Sequence, residues 1–335
     1  MKNPFDGLKI FSTDPNDPFT IAVCAYLTKK YGEGKFEIKP GKNLADHFPD
    51  SETKVVIEET VNNARHIVVI GRRLPNSNVN DSLMAMLLTL SALKGSSEAR
   101  VIAALPCLWY ARQDRKTART VISARLIADF LVQTGISRAI ILDPHAGQEQ
   151  GFFPIYVPVD TLSASPILIP EIRKTIGEGK DIIVVSPDNG GSSRAGNYAA
   201  ALHASSTAGD KRRDPRTGRS KIIRLIGDRV KGRTALIVDD IVDTGGSVVD
   251  LINLLRKIGV GDIYCAFTHP VLSGEAVAKL TAAGIKRIWT TDSVPPSPAL
   301  LESDIFVQVS VAELFADAIW LNFIGKSLSE NLLKK

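Results

Sequence analysis

The chain has few cysteines and no long hydrophobic run. Its three cysteines, Cys24, Cys107 and Cys265, lie far apart without metal-ligand spacing, which predicts reduced thiols in a reducing compartment such as the cytoplasm. The longest nearly apolar run, Leu83–Leu93, is interrupted by two hydroxyl side chains. It is far shorter than the roughly 20 residues that cross a bilayer, so we expect a buried helix there and no membrane span.

The first seven residues also lack the apolar core of a signal peptide, and we therefore expect no secretion signal. With 335 residues, 44% of them hydrophobic and 23% charged, the chain has room for two globular domains. Its net charge of +5 permits anionic small molecules or nucleic acid as partners and does not choose between them.

Short apolar runs alternate with segments of helical period along nearly the whole chain. This alternation predicts the α/β class, with mainly parallel sheets flanked by helices and ligands at the carboxyl ends of strands. The predicted helices include Phe19–Tyr31, Leu83–Leu93, Ile122–Gln133 and Val248–Ile258. The predicted strands are Leu8–Ser12, Val55–Glu58, His66–Ile70, Arg100–Leu105, Ala139–Asp143, Asp181–Ser186, Lys221–Ile226, Thr234–Asp239, Asp262–Phe267 and Arg287–Thr291.

A proline-rich stretch, Gly151–Pro170, predicts the connection between two α/β halves. We expect domains at 1–155 and 156–305, and a C-terminal strand and helix at 306–335 that docks on the body. Ser310–Glu313 has the pattern of a capping box, and Gly325 is a helix stop. Lys211–Lys221 is rich in basic residues and turn formers, which predicts an exposed loop between a helix and a strand.

The strongest chemical signal is Thr234–Ser247, an apolar strand that runs into acids and then into a Gly-Gly turn before a helix. Amides at such a turn face phosphate at the positive helix end, and carboxylates at a strand tip accept hydrogen bonds from a vicinal diol. The alternative is an ordinary strand–turn–helix with solvated acids. We expect the following residues to bind a sugar phosphate: Asp239, Asp240, Asp243, Thr244, Gly245, Gly246 and Ser247.

This segment resembles the ribose-phosphate loop of type I phosphoribosyltransferases and of ribose-phosphate diphosphokinases. Five further motifs, in their order and spacing, resemble the diphosphokinase set from about Lys9 to Leu332: Phe48–Glu52, Tyr110–Lys116, Asp143–Gln148, Ser186–Gly191 and Asp210–Arg213. The resemblance implies two tandem phosphoribosyltransferase-like domains. It also implies transfer of a diphosphoryl group from Mg-ATP to the C1 hydroxyl of ribose 5-phosphate, giving AMP and phosphoribosyl diphosphate for nucleotide biosynthesis.

The resemblance also implies an ATP site in the first half. There the family's adenine-contacting loop, which reaches ATP from a neighbouring subunit, corresponds to Phe48, Asp50 and Glu52. Residues that hold ATP correspond to Arg112, Gln113 and Asp114. The alternatives are that Phe48 belongs to the core and that Arg112 pairs with an acid on the surface.

Asp143, His145 and Asp188 resemble the family residues at the Mg-nucleotide phosphates. Because Mg²⁺ prefers oxygen ligands and keeps several waters, we expect Asp188 to act through coordinated water and His145 to hydrogen-bond phosphate. A structural histidine is the alternative. Lys211 and Arg213 match the family's catalytic loop, although the same basic run is also typical of a nucleic-acid or localisation patch. We expect catalysis, with His145 contributing, and no nucleic-acid partner.

Three positions depart from the family pattern. Ser51 stands where glycine is usual, Pro144 where leucine is usual, and Asn62 where an arginine belongs to the effector-phosphate site. Asn62 therefore puts activation by inorganic phosphate, and inhibition by ADP, in doubt. The resemblance implies a homo-oligomer, usually a hexamer. A type I phosphoribosyltransferase and a non-catalytic regulatory subunit of the same family remain alternatives.

Overall fold

The computed structural model describes residues 3–73, 78–116, 119–213 and 220–332, with the backbone alone at 211–213 and 220–223. The chain forms two compact units. Unit 1 comprises Met1–Ser163 and Ser310–Lys335, and unit 2 comprises Ala164–Val309. None of the described helices is long and apolar enough to cross a membrane.

Unit 1 is built on a parallel sheet in the order β1-β4-β5-β6-β7, and β2 and β3 form a separate antiparallel hairpin. Apolar runs such as the one in β4 are buried because helices cover both faces of a parallel sheet. The elements are β1 (Leu8–Ser12), α1 (Pro18–Tyr31), β2 (Asn43–His47), β3 (Thr53–Ile57), β4 (His66–Ile70), α2 (Val79–Gly95), β5 (Arg100–Leu105), α3 (Ser123–Gln133), β6 (Arg138–Leu142) and β7 (Val159–Leu162).

Unit 2 has the strand order β10-β9-β8-β11-β12-β13-β14, in which only the β9–β10 pair is antiparallel. The first strand of this sheet along the chain is β8. Strands β9 and β10 are added on one side of β8, and β11 and the strands after it are added on the other side. The elements are α4 (Ser165–Ile176), β8 (Ile182–Ser186), α5 (Ser192–Ala201), β9 (Ser205–Arg213), β10 (Ser220–Gly227), β11 (Thr234–Val242), α6 (Gly246–Ile258), β12 (Ile263–Pro270), α7 (Ala276–Ala282), β13 (Arg287–Thr291), α8 (Pro298–Leu301) and β14 (Phe306–Val309).

After unit 2 the chain returns to unit 1 as α9 (Ala312–Phe323) and α10 (Leu328–Asn331). Helix α9 packs on α1 through an edge-on Phe19–Phe315 pair, with ring centres 5.6 Å apart, and a stacked Tyr31–Trp320 pair at 4.5 Å. Lys30 Nζ donates to Asp317 Oδ1 at 2.8 Å beside them. Aromatic and charged contacts therefore hold this helix on the body of unit 1.

The expected capping box at Ser310–Glu313 is wrong in detail. Ser310 Oγ accepts from Ala312 N at 3.2 Å, and no side chain caps the first residue of α9. The expected stop is confirmed, because Gly325 follows the helix with φ of +71°. The predicted loop Lys211–Lys221 is wrong in part: 211–213 complete β9 and 220–221 begin β10, so two strands flank it, while 214–219 lie outside the described residues.

Candidate functional site

The reversal of strand order in unit 2 places the ends of β8 and β11 side by side. In an open α/β sheet such a switch point is where ligands bind. Asp239 and Asp240 lie near the end of β11; Asp239 is half-buried and Asp240 is buried. Asp239 Oδ1 accepts the backbone N–H of Asp240 at 3.0 Å. Two of the predicted sugar-binding acids thus stand together at the switch point.

Arg194, in the first turn of α5, joins these two acids. Its Nη1 lies 3.2 Å from Asp240 Oδ1 and 3.5 Å from Asp239 Oδ1. Burial raises the pKa of Asp239 well above its ordinary value, and the neighbouring carboxylates of Asp240 and Asp188 add to this, while Arg194 opposes it. The site therefore gathers negative charge around one partly shielded guanidinium.

The predicted phosphate loop follows directly. Gly245 adopts a left-handed φ of +74° at the first turn of α6, where a Cβ would lie 3.2 Å from Leu280 Cγ. Val249 N donates to Gly245 O at 3.0 Å, so the earlier amides of the turn precede the helical ladder and point outward at the positive helix end. Thr244, Gly246 and Ser247 are exposed there, and Asp243 is half-buried.

Asp188 follows β8 at the same edge. Its Oδ1 accepts the N–H of Gly190 at 2.9 Å, which fixes the turn that leads into α5. Gly191 packs so closely on Ser186 that a Cβ would lie 2.3 Å from Ser186 Oγ. The structure thus brings Asp188 close enough to Asp239 to affect its titration.

Strands β9 and β10 extend from this edge as a two-stranded ribbon. The pairing of β9 with β8 ends at Ala208, opposite Ser186. The backbone of Lys211 therefore runs about 10 Å further, at the rise of a strand. Lys211 pairs with Ile222 and Arg213 with Ser220 across the ribbon. The two predicted catalytic residues consequently extend from the same sheet edge as Asp188.

In unit 1, the predicted adenine loop is the tip of the β2–β3 hairpin. Phe48 N donates to Glu52 O at 2.8 Å, and Asp50 Oδ1 accepts from Glu52 N at 3.1 Å. Phe48 is 47% exposed, so it is not a core residue. Lys54 Nζ lies 5.6 Å from the centre of its ring.

The other predicted nucleotide residues of unit 1 follow β5 and β6. Arg112, Gln113 and His145 are exposed, and Asp114 and Asp143 are half-buried. Gln113 accepts from Ser123 Oγ, which fastens its loop to α3. Two non-glycine residues here have positive φ, +60° at Tyr110 and +34° at Asp143; such strain tends to cluster at functional sites.

The sequence reasoning missed two residues at these sites. Arg194 was overlooked because a lone arginine in a Ser-Ser-Arg sequence belongs to no motif. Glu149, directly after the Asp143–Gln148 motif, was also overlooked, yet it is fully buried and its Oε1 accepts the N–H of Ala146 at 3.0 Å, next to His145. Nothing in the sequence around Glu149, which lies two residues before Gly151-Phe152-Phe153, indicates that its carboxylate is buried.

No group of three or more His, Cys, Asp or Glu side chains suited to holding a metal ion occurs in the described part of the chain. Mg²⁺ does not need such a group, because it usually binds through one or two carboxylates, waters and substrate phosphates. Half-buried carboxylates at Asp143 and Asp188 suit that chemistry.

Comparisons with known proteins decide the family. A family model described as the N-terminal domain of ribose phosphate pyrophosphokinase matches residues 8–135, and the phosphoribosyl synthetase-associated domain matches residues 215–333. The chain is 40% identical to a ribose-phosphate pyrophosphokinase of Bradyrhizobium diazoefficiens over 86% of this chain and 89% of that protein. It is 38% identical to one of Rhizobium meliloti over 93% and 96%. The chain belongs to the ribose-phosphate pyrophosphokinase family.

A solved member of this family has the same fold. The phosphoribosylpyrophosphate synthetase of Mycobacterium smegmatis superimposes with a TM-score of 0.81 at 29% identity, covering 95% of this chain and 99% of that one. The predicted family, α/β fold and enzyme class are therefore confirmed. The ribose-phosphate pyrophosphokinases are the same enzymes as the diphosphokinases that the motifs resemble.

Proposed function

We propose that this enzyme transfers the diphosphoryl group of Mg-ATP to the C1 hydroxyl of ribose 5-phosphate. A bond forms between the C1 oxygen and the β-phosphorus, the bond from the β-phosphorus to the α-phosphate oxygen breaks, and AMP leaves with that oxygen. The hydroxyl proton is lost. The products are AMP and 5-phosphoribosyl 1-diphosphate, a precursor for nucleotide biosynthesis.

One observation carries the proposal: Asp239 and Asp240 lie near the end of β11, and this strand leads into a glycine turn that opens a helix at the sheet's switch point. In our proposal Asp239, Asp240 and Asp243 accept hydrogen bonds from the ribose hydroxyls. The amides of Thr244–Ser247 receive the 5-phosphate. Because carboxylates repel phosphate, the sugar binds in one orientation, with C1 turned toward the donor.

In the same proposal ATP binds through the adenine loop and the loops after β5 and β6. Phe48 stacks on the base, Asp50 and Glu52 accept from its amine, and Arg112, Gln113 and Asp114 position the nucleotide. Mg²⁺ arrives with ATP as part of the substrate and neutralises phosphate charge. His145 hydrogen-bonds phosphate, and Asp143 and Asp188 bind the coordinated water.

Lys211 and Arg213 close over the reacting phosphates, exclude water and stabilise the charge that spreads in the transition state. We further propose that the enzyme is cytoplasmic. We also propose that it is a homo-oligomer, hexameric as in the family, that shares the ATP pocket between subunits. Free thiols at all three cysteines are consistent with a reducing compartment.

A coupled assay for AMP formation tests the function. We expect AMP to form from Mg-ATP only when ribose 5-phosphate is present, and Asp239→Asn to raise the KM for ribose 5-phosphate by tenfold or more, roughly the effect of losing a charged hydrogen bond. AMP formation that does not depend on the sugar phosphate contradicts the proposal. A titration of inorganic phosphate in the same assay tests regulation, and we expect little activation because of Asn62.

A further inference from the structure

Arg194 stands apart from the residues that would touch substrate. It is the third residue of α5, and its side chain is only 20% exposed, with Nη1 between the carboxylates of Asp239 and Asp240 at 3.5 and 3.2 Å. A guanidinium so placed is satisfied by protein acids and is shielded from bulk water. It is therefore poorly placed to serve as a phosphate-binding arginine.

The position of Arg194 in its helix is unfavourable by itself. The start of a helix carries a partial positive charge, which disfavours a cation in the first turn. The two acids on β11 compensate for that repulsion. Arg194 therefore occupies a helical position that is unfavourable for a cation, and its ion pairs with Asp239 and Asp240 compensate for this. We conclude that the function of Arg194 is exerted on these two acids.

The local electrostatics point to the same role. Asp188, Asp239 and Asp240 are close enough for their charges to interact, and Asp240 is buried. Neighbouring carboxylates in a poorly solvated place repel one another and tend to turn apart or take up protons. Among the described side chains, Arg194 is the cation that ion-pairs with Asp239 and Asp240.

Arg194 also links the two strand ends of the switch point. The short segment 188–194 begins at Asp188, whose side chain fixes its turn through Gly190, and ends at the arginine that reaches β11. Any shift of α5 relative to β11 moves Arg194 away from the acids. The orientation of the acids is thus tied to the turn after β8.

We propose that Arg194 is a positioning residue for the acceptor sugar: it holds the carboxylates of Asp239 and Asp240 in the orientation in which both accept hydrogen bonds from the ribose hydroxyls. This inference rests on the proposed binding of ribose 5-phosphate at the end of β11. Arg194 acts on sugar binding through the acids and has no contact with ATP in this role.

The test compares Arg194→Gln, Arg194→Lys and Arg173→Gln in steady-state assays with both substrates varied. Arg173 is the matched control: it is an ion-paired arginine of the same unit, and it contacts Glu178 and the carbonyl of Ala201, at the other end of α5. We expect Arg194→Gln to raise the KM for ribose 5-phosphate by about tenfold or more, the scale of a lost charged hydrogen bond, with the KM for ATP within twofold. Arg194→Lys restores part of the loss, and Arg173→Gln resembles the parent.

A double-mutant cycle with Asp240→Asn separates positioning from general destabilisation. If Arg194 works through Asp240, the double variant is little worse than the poorer single variant, because coupled residues are non-additive. Thermal melting identifies a variant that fails to fold, and the cycle is then carried out with Arg194→Lys. Additive effects, or equal increases in both KM values, overturn the inference.

Asp239→Asn, assayed in parallel, distinguishes a failure of the proposed sugar site from a failure of the proposed role of Arg194. If it leaves the KM for ribose 5-phosphate unchanged, the proposed sugar site itself is wrong. If it raises that KM while Arg194→Gln behaves like Arg173→Gln, the sugar site stands and the role of Arg194 is refuted.

Discussion

Gln148 Nε2 donates a hydrogen bond to Asp114 Oδ2 at 2.6 Å. This contact joins the loop after β5 to the loop after β6, and both loops carry residues that we assign to ATP. Asp114 is thereby oriented by a residue from the second loop. This hydrogen bond therefore helps to hold the two loops that we propose to bind ATP in register.

Gln148→Ala should raise the KM for ATP by about two- to tenfold, the usual effect of losing one hydrogen bond, with turnover nearly unchanged. Gln150→Ala provides the control, because Gln150 is an exposed glutamine of the same short 3₁₀ helix, Gly147–Phe152. An unchanged KM in Gln148→Ala would mean that the two loops are held in register without this contact.

Lys211→Ala should lower turnover by orders of magnitude and leave ATP binding largely intact, because a cation over a transferring phosphoryl group acts mainly in the transition state. Rapid-quench turnover and equilibrium ATP binding measure the two effects. Arg224→Gln, on the partner strand of the same ribbon and paired with Asp210, should stay within a few-fold of the parent. Turnover of Lys211→Ala within a few-fold of the parent would show that the assignment of the ribbon is wrong.

Gly245→Ala should weaken binding of ribose 5-phosphate. A side chain at φ of +74° is strained by about 1–2 kcal/mol, and the new Cβ would press on Leu280. We expect a higher KM for ribose 5-phosphate and a lower melting temperature. Gly274→Ala is the control for strain alone, since Gly274 has φ of +61° with no atom near its Cβ position. Equal KM values in the two variants would argue against a special role for the turn.

Ser51→Gly should stabilise the adenine loop. Ser51 has φ of +71° at the tip of the hairpin, a conformation that glycine adopts without strain. Glycine also has greater conformational freedom in the unfolded chain, which offsets part of this effect. The net increase in the free energy of unfolding is up to about 1 kcal/mol. Hydrogen exchange of the Phe48 amide, which is bonded to Glu52 O, should slow in Ser51→Gly and not in Ser51→Ala. Faster exchange in the glycine variant would contradict this.

Alkaline pH should weaken the docking of α9 on α1. Burial alone lowers the pKa of Lys30, but hydrogen bonds to Asp317, Tyr26 and Tyr31 outweigh it and raise the pKa above its ordinary value. Burial, and then the hydrogen bond to Asp317, raise the pKa of Tyr31 to about 12. The folded protein thus keeps protons that the unfolded chain loses, and stability falls as pH rises from about 10.

Urea unfolding at a series of alkaline pH values measures this effect, with tryptophan fluorescence as the signal. Asp317→Asn should flatten the dependence between pH 10 and 12, because it removes the negative charge that favours the protonated forms of both Lys30 and Tyr31. An equal slope in the parent and in Asp317→Asn would assign the alkaline sensitivity to other groups.

Much of the fold could be predicted because buried parallel strands are short continuous apolar runs. β1, β4, β5 and β13 have the predicted bounds residue for residue. The three missed strands, β2, β7 and β9, have polar or small residues at many positions, and their places are set by pairing with neighbours. β7 lies within the proline-rich stretch that we interpreted as a connection, so the sheet of unit 1 continues further along the chain than its composition indicated.

The candidate site was predictable where chemistry depends on adjacent residues, as in Thr234–Ser247. It was not predictable where a side chain acts across the fold. Arg194 lies 45 residues before Asp239 in the chain, and only the alignment of α5 beside β11 brings them together. Likewise, the contact between Gln148 and Asp114 depends on the parallel pairing of β5 with β6.

The division of the chain has a consequence for the order of folding during synthesis. Unit 2 occupies one continuous segment, whereas unit 1 needs α9, whose Phe315 is fully buried against α1. During synthesis, unit 2 can therefore fold before unit 1 is complete. Unit 1 keeps an apolar surface on α1 exposed until α9 emerges from the ribosome. A chain that is truncated before α9 therefore lacks part of the hydrophobic core of unit 1.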